Sequence, residues 1–165
     1  MNSELYKQLE VDGVKFNVYV CPDESSRPPW ENNDCHGPVS KWTTRSKKPG
    51  EMVLANDHGK NIYYDFQESC RIAKKRSLGI WHYDGKTKRQ IAANYAMEDF
   101  KYLRGYINGD WEYVGVIVQL LDDDGDEILG DSESVWGIES NDKCYINTIA
   151  SQLAQEIMHS LSVFS

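Results

Sequence analysis

"WEYVGVIVQLLDDDGDEILGDSESVWGIES", residues 111–140, decides how this chain is read. Its first part sets apolar side chains on both alternating faces, with Val114, Val116 and Val118 against Ile117 and Leu121. A strand that is apolar on both faces belongs in the middle of a sheet, covered on both sides. Its middle carries seven carboxylates in the twelve residues from Asp122 to Glu133, and no Lys or Arg answers them. "SVWGI" then restores a strand pattern, so the acidic run is expected to link two antiparallel partners.

Working outward, Asn141 or Asp142 is placed to cap a last helix. Its apolar stripe is Ile146, Ile149, Ala150, Leu153, Ile157 and Leu161, the clearest helical period in the chain. On the other side, Thr87 caps "KRQIAANYAMEDFKYLRGYI", where Ala92, Ala96, Phe100, Leu103 and Ile107 keep one face and Asn108-Gly109 ends the helix. Asp65 caps "FQESCRIAKKRS", with Phe66, Cys70 and Ala73 on one face and Gly79 as its stop. Two hairpins precede these helices. "LYKQLEVDGVKFNVYV" turns at Asp12-Gly13, and "MVLANDHGKNIYYDF" turns at Asn56–Gly59. Residues 21–50 hold all five prolines and read as one long loop, neither strand nor helix. A loop of that length inside a compact domain is often functional. Trp30, Trp42, Trp111 and Trp136 are expected to act as anchors pinning it to the sheet. The expectation is therefore an α+β fold: a single domain over 1–165, its antiparallel sheet built from hairpins and packed on about three helices.

At 165 residues the chain is long enough to bury a real core, and ten Tyr and five Trp argue for a folded protein. No apolar run approaches the ~18 residues of a membrane span. The opening "MNSELYKQLE" lacks a charged-then-apolar leader, so a cytoplasmic location is expected. Cys21, Cys35, Cys70 and Cys144 show no C-x-x-C spacing, which reads as four reduced thiols rather than a zinc ribbon. Charge is distributed unevenly: residues 1–40 carry −4, residues 41–104 carry +7 and residues 105–165 carry −11.

The acidic stretch admits three readings. An EF-hand needs glycine at its sixth position and a ligand at its first. Counting back from Gly125 reaches Leu120, and from Gly130 reaches Gly125, so that loop is excluded. A looser divalent site on Asp122, Asp124 and Asp126 stays open, as does a plainly solvated hairpin tip. The third reading is mimicry of nucleic acid. Same-face strand residues recur every ~6.7 Å, which matches alternate phosphates rising ~3.4 Å each along one strand. Partner-binding residues on that reading are Asp122, Asp123, Asp124, Asp126, Glu127, Asp131 and Glu133.

The basic middle competes with it. Arg71, Lys74, Lys75, Lys88 and Arg89 flank the Trp81-His82-Tyr83 stretch and interleave cations with aromatics, as nucleic-acid sites do. A pI near 5 for the whole chain works against simple DNA binding. A weaker alternative is a metal-dependent enzyme on Asp34, His36 and His58. No nucleophile elbow, zincin, P-loop or dinucleotide fingerprint is present. No catalytic residue, metal ligand or cofactor is assigned.

Four segments, "PPWENNDCHGPVSKWTTRSKKPGE", "YYDFQESCRIAKK", "EDFKYLRGYINGDWEYVGVIVQLLDDDG" and "SVWGIES", together resemble a family of small proteins of tailed bacteriophages and prophages. The resemblance implies a phage or prophage origin and expression in a bacterial host cell. It brings no catalytic residue with it. Relatives look like "HDGHGP" where this chain has Asn33-Asp34-Cys35-His36-Gly37-Pro38, and the missing first histidine weakens a two-histidine metal site there. Taken together, these readings point to a non-enzymatic inhibitor of a host nucleic-acid-handling or defence complex, of the anti-restriction or anti-CRISPR type. Its partner would be a host protein with a basic, nucleic-acid-binding surface. The alternative is a nucleic-acid-binding accessory protein using the 71–89 region.

Overall fold

The computed structural model describes residues 3–32, 36–57, 59–76 and 85–163. It is α+β, with three helices and seven strands in two antiparallel sheets. The chain divides into two compact units. The first comprises residues 1–26 and 111–165, and the second is the intervening span 27–110. Where one hairpin-built sheet was expected, each unit has its own.

The first unit has strand order β1-β2-β6-β7, from β1 (Glu4–Val11), β2 (Val14–Pro22), β6 (Tyr113–Leu121) and β7 (Glu127–Glu139). β6 is central as expected, hydrogen-bonded to β2 on one side and β7 on the other. Helix α3 (Lys143–Val163) covers one face. Asp142 caps it, its Oδ1 accepting from the Tyr145 N–H at 3.0 Å. Ala150 and Ala154, both without exposed surface, let the helix sit close over Phe16, Val18, Val116 and Val118. Each large aliphatic or aromatic group so buried contributes roughly 1.5–3 kcal/mol relative to exposure. The stripe ends one turn earlier than its sequence suggests. Ile157 is buried, but Leu161 is exposed.

The second unit has strand order β3-β5-β4, from β3 (Val39–Trp42), β4 (Glu51–Asp57) and β5 (Lys60–Asp65). β3 corrects the reading of 21–50 as one unbroken loop. Residues Pro29–Glu31 also form a short 3-10 turn. β3 is only four residues long and borrows all its ladder bonds from β5, so no alternation announces it. Helices α1 (Phe66–Arg76) and α2 (Lys88–Ile107) complete the unit. Asp65 Oδ1 accepts from the Glu68 N–H at 3.0 Å, the expected cap on α1. At α2, Thr87 and Gln90 form a reciprocal capping box. The core is Leu54, Tyr64 and Leu103, with Trp30, Phe66, Phe100 and Ile107 packed round it. Gly79, the expected stop of α1, lies outside the described residues.

Candidate functional site

The acidic run divides between a turn and a strand. Asp122–Asp126 form the turn, where Asp122 Oδ1 accepts from the backbone N–H groups of Asp124 and Asp126, both at 2.9 Å. Asp122 is thus committed to holding the bend. Glu127, Asp131 and Glu133 belong to β7, one of the two edge strands of its sheet. Glu127 accepts the phenol hydroxyl of Tyr19, and that bond to a carboxylate, followed by burial, pushes the Tyr19 pKa up. Asp123, Asp124, Asp126 and Glu133 are exposed. Among the described residues none of the seven carboxylates has a Lys, Arg or His within ion-pair distance.

β7 is not a regular ladder. Gln119 faces Ser132, yet Leu121 faces Glu127, so residues 128–131 bulge out of register. Gln119 fills the bulge, its Nε2 donating to the Ile128 carbonyl at 2.6 Å and the Asp131 carbonyl at 3.2 Å. Leu129 stands at the crest, 89% exposed. The expected row of carboxylates at a constant two-residue repeat is therefore interrupted between Glu127 and Asp131. What survives is a density of negative charge along an edge.

The basic residues gather in the second unit. Arg71 and Lys74 on α1, with Arg89 in the first turn of α2, line one cleft of about 720 Å³. Lys75 and Lys88 are exposed but do not line it. Arg89 and Lys88 stand at the positive end of the α2 dipole, which strengthens the local positive potential. The cleft also has two carboxylates, Asp65 and Glu68, and Glu68 pairs with Arg71 at 2.8 Å from Nε. Cys70 opens onto it, and burial raises its thiol pKa despite the nearby Lys74 and Arg89 charges, which leaves it a poor nucleophile. The Trp81-His82-Tyr83 stretch lies outside the described residues.

His36 works as a tether. Its Nδ1 lies 2.7 Å from the Gly37 carbonyl and its Nε2 lies 3.1 Å from the Pro29 carbonyl, so both ring nitrogens face main chain. Next to it Asp99 Oδ2 accepts from the Gly37 N–H at 3.1 Å. Burial pushes the Asp99 carboxyl above its ordinary range, opposed by that bond and by the His36 charge. Asp34 and His58, the other members of the metal reading, lie outside the described residues, and no metal-holding cluster occurs among those described. Cys21, Cys70 and Cys144 are free thiols.

The tryptophans do not all behave as anchors. Trp111 is buried and stacks edge-on against Tyr113. Trp42 and Trp136 are each 43% exposed. Trp136 lies over Gly115, where a Cβ would come within 2.3 Å of its ring. No family model matches the chain, and no curated protein or solved structure matches it.

Proposed function

We propose that this chain is a phage-encoded, non-enzymatic binding protein that blocks a host nucleic-acid-handling or defence complex by offering an acidic edge to a basic surface. The observation that carries the reading is the absence of internal neutralisation. Seven carboxylates crowd one turn and one sheet edge with no cationic partner among the described residues. The unit they belong to has 3 basic and 16 acidic side chains, a net of −13. Charge held this way raises the encounter rate with a cationic surface and loses affinity as salt screens it. The same charges and bulges also keep a free edge from pairing with another strand, so both roles draw on one feature. The bulge at 128–131 favours mimicry of charge density over a phosphate-by-phosphate copy.

The functional test is protection of an infecting phage in cells carrying a restriction or CRISPR system. The chain should restore plaque formation. A variant with Asp123, Asp124, Asp126 and Glu133 changed to Lys should not, at equal expression and thermal stability. Asp122 is left intact because it holds the turn. Equal protection by both forms would remove the reading.

A second reading is supported by the gathering of Arg71, Lys74 and Arg89 on one cleft. Their unit has 15 basic and 10 acidic side chains, a net of +5, so the acidity of the whole chain does not describe it. On this reading the second unit binds nucleic acid during phage DNA metabolism.

A further inference from the structure

We propose that a separate cleft at the open end of the β3–β5 pair binds an unpaired nucleic-acid strand, with one base stacked on Trp42 and a neighbouring phosphate at Lys60. The inference deepens the nucleic-acid reading of the second unit and rests on it, but it moves the contact to residues outside the basic helices.

Trp42 is held as a platform. The Arg45 guanidinium lies 4.2 Å from the centre of its ring. Arg45 is in turn fixed by both Glu51 oxygens, at 3.0 and 2.8 Å, and lies 5.2 Å from the Tyr63 ring. One face of the indole is therefore braced by a cation that has little freedom to leave. Trp42 borders two clefts. Arg45 lines the one on its own side and is absent from the other, a space of about 550 Å³. That second space has an apolar floor of Pro28, Trp30 and Ile62, with Lys41 and Lys60 at its rim, and no carboxylate lines it among the described residues. Glu31 holds the Lys41 ammonium at 2.8 Å. Lys60 has no ion-pair partner among the described residues.

An exposed, braced aromatic face beside a free cation suits a planar group next to an anion. A nucleobase and its phosphate have that chemistry, and the base must be unpaired to offer its face. The unit's net +5 draws the backbone in. Trp111 is buried, whereas 43% of Trp42 is left open beside the cleft.

The test is fluorescence anisotropy of a labelled ten-residue oligothymidylate titrated with the full chain, from about 50 mM salt upward. The expected result is saturable binding that weakens with salt. Trp42→Ala should weaken it roughly 5- to 100-fold, the loss of one stacked base, while Trp42→Phe stays close to the parent. Lys60→Glu should weaken binding and flatten the salt dependence, and it serves as the second variant should Trp42→Ala melt early. Parent affinity in both Trp42→Ala and Lys60→Glu would overturn the proposal. So would thymidine monophosphate competing as well as the oligomer, which would mark a mononucleotide pocket. If only Lys74→Ala and Arg89→Ala lose the strand, this proposal falls while the basic-cleft reading stands. If the chain binds no strand at all, both fall.

Discussion

Gly37 has no room for a side chain. A Cβ built there would stand 1.7 Å from Ser69 Oγ and 2.6 Å from Ser69 Cβ, and Ser69 is itself buried, donating to the Asp65 carbonyl at 2.6 Å. Gly37→Ala should therefore cost about 1–3 kcal/mol in chemical unfolding, the usual price of overpacking. Gly115→Ala meets the Trp136 ring at 2.3 Å, but that ring is partly exposed and can swing aside, so its penalty should be the smaller of the two. Glu51 is read at the same scale. The Arg45 hydrogen bonds first, and then the Lys48 N–H, hold its carboxyl below the ordinary range against the opposing effect of burial. A depressed carboxylate contributes stability that is complete above the unfolded-state pKa and is lost as pH falls through the folded value. Glu51→Gln should lower the melting temperature near neutral pH and narrow the gap between melts at about pH 7 and about pH 3. Asp99, pushed up by burial, acts in the opposite sense, favouring the fold when protonated and losing that contribution as pH rises. None of these close contacts was legible in the sequence, because Gly37, Ser69 and Asp99 meet only through tertiary packing.

At the scale of elements, what could be read was what local chemistry dictates. The caps of all three helices follow from Asp65, Thr87 and Asp142, whose side chains reach N–H groups three residues on. Thr87→Ala should cost about 1 kcal/mol of stability in denaturant titration, since it removes the hydroxyl that accepts the Gln90 N–H, leaving only the Thr87 N–H to Gln90 half of the capping box. β6 was legible as a central strand because Val114, Val116, Val118 and Leu120 supply an apolar face for the core, but its other face, where Ile117 and Gln119 are only half-buried, is not covered as expected. β3 was not, because a short polar edge strand is specified by β5 rather than by its own pattern. The β7 bulge was hidden for a similar reason. It depends on Gln119 of the neighbouring strand, nine to twelve residues away along the chain. Gln119→Leu leaves the Ile128 and Asp131 carbonyls without their donor and should speed amide exchange across β7 relative to β1. The seven carboxylates lie on one turn and one edge strand, without the even spacing their alternation suggested.

The whole molecule separates its charge. One unit is −13 and the other +5, a division that the three-way tally along the sequence only approximates, because the acidic unit draws on both ends of the chain. The separation is what permits two opposite kinds of partner to be proposed for one small protein. In those proposals the acidic edge meets a cationic surface and the Trp42 cleft an unpaired strand. The central claim is that the edge carboxylates are uncompensated and engage a basic surface. It is tested most directly by capture from host lysate on the immobilised chain, parent beside the Asp123, Asp124, Asp126 and Glu133 lysine variant, with elution by rising salt and by duplex DNA. The account predicts nucleic-acid-binding proteins held by the parent near 0.05 M salt, released by duplex DNA or by about 0.5 M salt, and absent from the variant. The same proteins retained by both forms, at the same salt, would contradict it.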